Sequence, residues 1–124
     1  MKLICIGDSL TFGYGVHLSQ RWTRLCAQET GWELVNEGIN GDTTGGMLAR
    51  MQGVVLAELR EGGLGADRPY VLLMGGSNDV FYSGSDAAAR GNMGAMIHQL
   101  FSVGVLPMVG IPLPADAPHA PRAW

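Results

Sequence analysis

The chain has 124 residues, enough for one domain around one hydrophobic core. Hydrophobic residues make up 47% and charged residues 15%, the balance of a folded rather than a disordered chain. A net charge of −3 and a pI near 5.4 give no electrostatic basis for binding nucleic acid or an anionic membrane.

Strand and helix patterns alternate along the chain. Residues 2–6 are an apolar run that stops abruptly at Gly7-Asp8-Ser9. After a loop with Gly13-Tyr14-Gly15, the residues Leu18, Trp22, Leu25 and Cys26 recur at helical spacing. Gly31 closes that segment where a left-handed helix end is expected. Residues 33–36 read as a short second strand leading into a loop over residues 38–46. Met47, Leu48, Met51, Val55 and Leu59 mark a second helix, with Gly62-Gly63 as its stop. Pro69 opens a third strand over residues 70–74, a continuous apolar run of the kind buried on both faces. Gly75-Gly76-Ser77-Asn78-Asp79 is its exit loop. Met93, Met96, Ile97, Leu100 and Phe101 form a third helical stripe ended by Gly104; at this spacing the methionines read as core filler. A fourth strand covers residues 105–111, and a Pro-rich tail follows.

Such alternation with short connections implies right-handed βαβ units, a parallel sheet and helices on both faces, all in one domain over residues 1–124. Cys5 and Cys26 read as small buried hydrophobes and imply no disulfide framework. The apolar N-terminal run is too short for a signal peptide, and no run reaches transmembrane length. The expected location is therefore cytoplasmic.

In a parallel sheet the strand exits share one edge. If strand one lies between strands two and three, their loops meet at one crevice. Those loops carry Ser9, then Asn40-Gly41-Asp42, then Asn78-Asp79. They supply a hydroxyl, a glycine whose N–H can approach a ligand at positive φ, and an amide donor that does not ionise. Those are the parts of a nucleophile beside an oxyanion hole. Each residue also has a plain structural reading: Ser9 as a cap, Gly41 as a turn glycine, Asn78-Asp79 as an Asx turn. Asp8, Asp42 and Asp79 come from three loops without a repeated ligand pattern, so hydrogen-bonding and loop-fixing roles are expected and no metal. Gly13-Tyr-Gly-Val-His-Leu18 lacks the third glycine of a dinucleotide fingerprint, and no cofactor is expected.

A serine hydroxyl needs a base to take its proton, commonly a histidine oriented by a carboxylate. His98 lies twelve residues into a helix starting near Asp86, about 18 Å down its axis and away from the strand exits. His17 is on the correct edge but leads into the first helix. His119 follows Asp116 in an Asp-x-x-His pattern beyond strand four.

Gly7-Asp8-Ser9-Leu10 resembles the first block of the SGNH (GDSL-type) hydrolases. Asn-Glu-Gly-Ile-Asn-Gly, ending at Gly41, is similar to their second block, and Gly76-Ser77-Asn78-Asp79 to their third. The resemblance implies a flavodoxin-like three-layer α/β/α sandwich with sheet order 2-1-3-4-5. It also implies hydrolysis of a small-molecule ester or thioester through an acyl-serine. Ser9 would be the nucleophile, with its own N–H, the Gly41 N–H and the Asn78 amide binding the oxyanion. In the family the Asp-x-x-His block follows a fifth strand and precedes a C-terminal helix, usually with proline after the histidine. Here Asp116 and His119 come a few residues past strand four, and Ala120 follows. The expectation is a domain that ends early, without the fifth strand, the last helix and the catalytic pair. An exposed fourth strand prone to self-association would result. The alternative function is an impaired fragment or binding module that holds acyl groups or carboxylates without turning them over.

Overall fold

The structure is a computed structural model and describes residues 1–61 and 68–113. Four strands, β1 (Lys2–Gly7), β2 (Glu33–Gly38), β3 (Tyr70–Met74) and β4 (Pro107–Val109), form one parallel sheet in the order β2-β1-β3-β4. Five α-helices accompany them among the described residues: α1 (Ser9–Phe12), α2 (Trp22–Thr30), α3 (Thr44–Glu61), α4 (Ser77–Ser83) and α5 (Ala87–Ser102). The result is a three-layer α/β/α fold of the flavodoxin-like type.

β1 is the central strand because it is apolar on both faces. Ile4 pairs with Val35 on one side and Val71 on the other, and Ile4, Cys5 and Ile6 are all fully buried. Side chains alternate across a strand, so Ile4, Ile6, Val71 and Leu73 face one layer. There they pack with Met47, Met51 and Val55 of α3 and with Met96 and Leu100 of α5. The unbranched methionines fill the irregular space between the two helices and the sheet, the role their spacing suggested. The opposite face carries Asn36, which reaches Thr23 of α2 at 3.2 Å. Both cysteines are free thiols, Cys5 buried and Cys26 half-buried; burial pushes the Cys5 thiol up to about 12.

Several boundaries differ from expectation. A short 3₁₀ turn at Leu18–Gln20 precedes α2, which begins only at Trp22, and both Leu18 and Leu25 are exposed. Thr23 is the buried residue of α2, because that helix meets the sheet at the polar Asn36. The exit of β3 is not a loop: after a turn at Gly76 (φ +114°) the chain enters α4, so Asn78 and Asp79 are helical. Phe101 is exposed, since Met96 and Leu100 already fill the inward face of α5. β4 spans three residues instead of seven. Val105 is buried with its N–H turned back to the Leu100 carbonyl at 2.9 Å, and Ile111 is exposed, so only the middle of the apolar run lies against β3. The predicted stop at Gly62-Gly63 and the Asp116/His119 pair lie outside the described residues.

Candidate active site

Ser9 opens α1, a helix of four residues that cannot sustain itself. Its neighbours hold it in place. The Asp8 carboxylate caps the start by accepting from the Leu10 N–H at 2.9 Å. At the far end the Trp22 indole donates to the carbonyls of Leu10 and Thr11, both at 3.1 Å. The Asn36 amide also donates to the Thr11 carbonyl, at 2.9 Å. These bonds satisfy carbonyls that a short helix leaves orphaned. The turn lies directly on the strand ends. A Cβ at Gly7 would run into the Thr11 side chain and the Met74 carbonyl, and one at Gly38 into the backbone nitrogen of Phe12.

Asp8 is buried beneath this turn. Burial raises its pKa above the ordinary value; the Leu10 N–H partly offsets that, and the charges of Asp42 and Asp79 add to the rise. Asp42 and Asp79 each fix a different piece of backbone. Asp79 accepts from the Thr44 N–H at 2.8 Å and the Thr44 hydroxyl at 2.7 Å, so α4 supplies the cap for the start of α3. Asp42 accepts from its neighbour's Thr43 N–H at 2.9 Å and from Arg50 Nε at 3.0 Å. Among the described residues no cluster of His, Cys, Asp or Glu is arranged to hold a metal ion.

The loop after β2 comes back over the sheet edge. The Ile39 N–H donates to the Gly7 carbonyl at 3.1 Å, and Gly41 sits at φ +77°, a left-handed conformation that favours glycine. The Tyr82 hydroxyl donates to the Gly41 carbonyl at 3.3 Å, and the Asn78 amide to the Asp42 carbonyl at 2.8 Å. Among the described residues the N–H groups of Ser9 and Gly41 make no hydrogen bond. Both donors stand at neighbouring strand exits, those of β1 and β2.

A cavity of about 280 Å³ opens at this edge, lined by Ser9 and Asn78 together with Asp8, Ser77, Leu10, Phe81 and Leu113. Of the three residues singled out in the sequence, the structure brings Ser9 and Asn78 into one cavity. Gly41 is not part of its lining, but it is one residue from the Asp42 carbonyl that Asn78 holds. A larger apolar cleft of about 480 Å³ runs between α5 and the end of β4, past Met93, Ile97, Val109 and Ile111, and contains none of the three. Neither described histidine lines the Ser9 cavity. The His17 Nδ1 accepts the Ser19 N–H at 3.3 Å and so caps the 3₁₀ turn rather than entering a helix. His98 is exposed in the C-terminal half of α5. Sequence reasoning passed over Arg50, whose guanidinium touches three separate pieces of this edge. The available signal was a cation in an otherwise apolar helical stripe, eight residues after Asp42.

Residues 5–124 match the model of the GDSL-like Lipase/Acylhydrolase family. The chain is 29% identical to esterase TesA of Pseudomonas aeruginosa over 127 residues, an alignment covering 97% of this chain and 58% of the esterase. Its fold is similar to that of a protein assigned to the G-D-S-L lipolytic family from Desulfitobacterium hafniense. The TM-score is 0.80 at 27% identity, over 94% of this chain and 62% of the other. It is also similar to a lipase/acylhydrolase from Enterococcus faecalis, with a TM-score of 0.69 at 27% identity, over 98% and 64% of the two chains. The chain thus spans about three fifths of the length of these relatives.

Proposed function

The chain belongs to the GDSL-like lipase/acylhydrolase family, and from that premise we propose that it hydrolyses carboxylic esters or thioesters through an acyl-Ser9 intermediate. Ser9 Oγ attacks the carbonyl carbon as its proton passes to a base. The tetrahedral oxyanion accepts hydrogen bonds from the Ser9 N–H, the Gly41 N–H and the Asn78 amide. Collapse expels the alcohol or thiol, which takes up the proton, and water then releases the acid from Ser9. The observation that supports this reading is the cavity shared by Ser9 and Asn78 at the exits of β1 and β3. The test is turnover of p-nitrophenyl butyrate together with fluorophosphonate labelling read by intact mass. We expect both in the unsubstituted chain and neither in Ser9→Ala. Equal turnover in Ser9→Ala removes the proposal.

A second reading is a module that binds acyl groups or carboxylates without turnover. It is favoured by one observation: His17 and His98, the two described histidines, both stand away from the Ser9 cavity. The Asp116/His119 pair lies outside the described residues. An unsubstituted chain inert to activated esters, yet binding butyrate by calorimetry with dependence on Asn78, selects this reading. Residence in the cytoplasm accompanies either reading and is supported by the two free thiols. Among the described residues no helix is long and apolar enough to cross a membrane. Self-association belongs to the same proposal and is supported by exposed apolar side chains along and beside β4, Leu106, Met108, Val109 and Ile111.

A further inference from the structure

Arg50 lies in the second turn of α3, and each of its three guanidinium nitrogens has a different partner. Nε donates to the Asp42 carboxylate at 3.0 Å, one terminal nitrogen to the Glu37 carbonyl at 2.7 Å, and the other to the Gly7 carbonyl at 2.9 Å. Gly7 ends β1 two residues before Ser9. Glu37 is the penultimate residue of β2, and Asp42 follows Gly41. One planar fork therefore connects the strand end that leads to Ser9 with both sides of the loop that carries Gly41. We propose that Arg50 is a positioning residue that sets the separation between the Ser9 N–H and the Gly41 N–H, and so the geometry of the oxyanion hole. The proposal rests on the reading of Ser9 as nucleophile and Gly41 as oxyanion donor.

Two arguments carry it beyond an ordinary structural tie. The Ser9 and Gly41 donors of this hole come from two segments that share no covalent constraint nearer than the length of α1, α2 and β2. Such a site needs its donors placed to within about 0.5 Å. A rigid guanidinium fork with a fixed angle between its N–H groups does this, whereas a lysine ammonium is a single point on a flexible stem. Charge is the second argument. The edge holds the carboxylates Asp8, Asp42 and Asp79, whose field opposes a developing oxyanion. Arg50 is ion-paired with Asp42, next in the chain to the Gly41 donor, and both side chains are largely shielded from water. Asp42 is thereby fixed twice, at its carboxylate by Arg50 and at its carbonyl by Asn78.

Arg50→Lys, which keeps the charge, and Arg50→Gln, which removes it, separate positioning from stability. The readouts are kcat and KM for p-nitrophenyl butyrate, the melting temperature, and amide hydrogen exchange at Ile39 and Asp42, whose N–H groups bond to Gly7 and Ile39. In Arg50→Lys we expect kcat to fall by about ten- to a hundredfold with KM within about twofold. Exchange at Ile39 and Asp42 should accelerate about tenfold or more, while Ile4 and Leu73 in the core keep unsubstituted rates. Unsubstituted kcat in Arg50→Lys, or unchanged exchange at Ile39 and Asp42, overturns the proposal. So does a loss in Arg50→Gln that tracks melting temperature and is fully restored by lysine. If the unsubstituted chain neither turns over ester nor is labelled at Ser9, the hydrolase reading fails on its own. The exchange rates then still decide whether Arg50 clamps the two loops.

Discussion

The side-chain amide of Asn78 donates to the main-chain carbonyl of Asp42 at 2.8 Å, tying the exit of β3 to the exit of β2. An asparagine amide has two N–H groups, so one remains for a ligand in the Ser9 cavity. On the proposed mechanism, removing the side chain withdraws an oxyanion donor and loosens the loop that carries another. For Asn78→Ala we expect kcat on p-nitrophenyl butyrate to fall by about 10²- to 10³-fold. Asn78→Asp should fall at least as far, because a carboxylate repels both the Asp42 carbonyl and the oxyanion. Steady-state kinetics decide this, and a rate within a few-fold of the unsubstituted chain in Asn78→Ala contradicts the donor role.

Gly38 faces the backbone nitrogen of Phe12, a group that cannot rotate out of the way. Gly38→Ala must push α1 off the strand ends, at a cost of about 1–3 kcal/mol. For a domain of this size that lowers Tm by an amount on the order of 5–15 °C. Gly53, with nothing near its missing Cβ in the middle of α3, is the opposite case. Gly53→Ala should stabilise the fold by about 0.5–1 kcal/mol through helix propensity. Thermal melts of the two variants should therefore move in opposite directions.

Burial raises the pKa of Asp8 in the folded chain above its unfolded value. Below the unfolded value of 3.8 the carboxyl is protonated in both states and has no effect on stability. As pH rises from there through the folded pKa, the unfolded chain releases its proton first, and stability falls. Asp8→Asn keeps a side-chain oxygen for the Leu10 N–H but does not titrate. It should be more stable than the unsubstituted chain at pH 7, with the gap closing as pH drops below 4. Urea midpoints across pH 3–7 measure this, and a gap that widens towards acid pH reverses the sign.

Among the described residues β4 pairs on one side only, with β3. With apolar side chains exposed along and beside it, the chain should elute at a larger apparent size as concentration rises. Val109→Lys places a charge on that edge and should return the elution to monomer without lowering Tm. Size-exclusion over a hundredfold range of concentration tests both halves, and a monodisperse monomer throughout excludes the association.

The sheet was legible because residues 3–6 of β1 and 70–74 of β3 are unbroken apolar runs that stop at a glycine, Gly7 and Gly75, a pattern with little other use at that length. The candidate site was legible to the extent that Ser9, Gly41 and Asn78 could be placed at strand exits from order alone. The hydrogen-bonding that supports it was not. Trp22 reads as one more apolar residue in a helical stripe, yet its indole closes the turn that bears Ser9. Asn78 sits in a run of turn-forming residues, and the seven residues of α4 are too few to show a helical period. Arg50 interrupts the apolar stripe of α3, and only one of its three acceptors, Asp42, is near it in sequence; the other two are carbonyls on β1 and β2. Side chains that serve distant backbone leave almost no trace in spacing.

Of the side-chain bonds at the far end of the Ser9 turn, two come from the Trp22 indole and two from Asn36 in a separate strand. The peptide running from Gly7 to Gly13 is thus an incomplete part. Grafted alone onto the parallel sheet of another protein, it would transplant the hydroxyl but lose its aim. A workable transfer has to bring the indole and the amide with it.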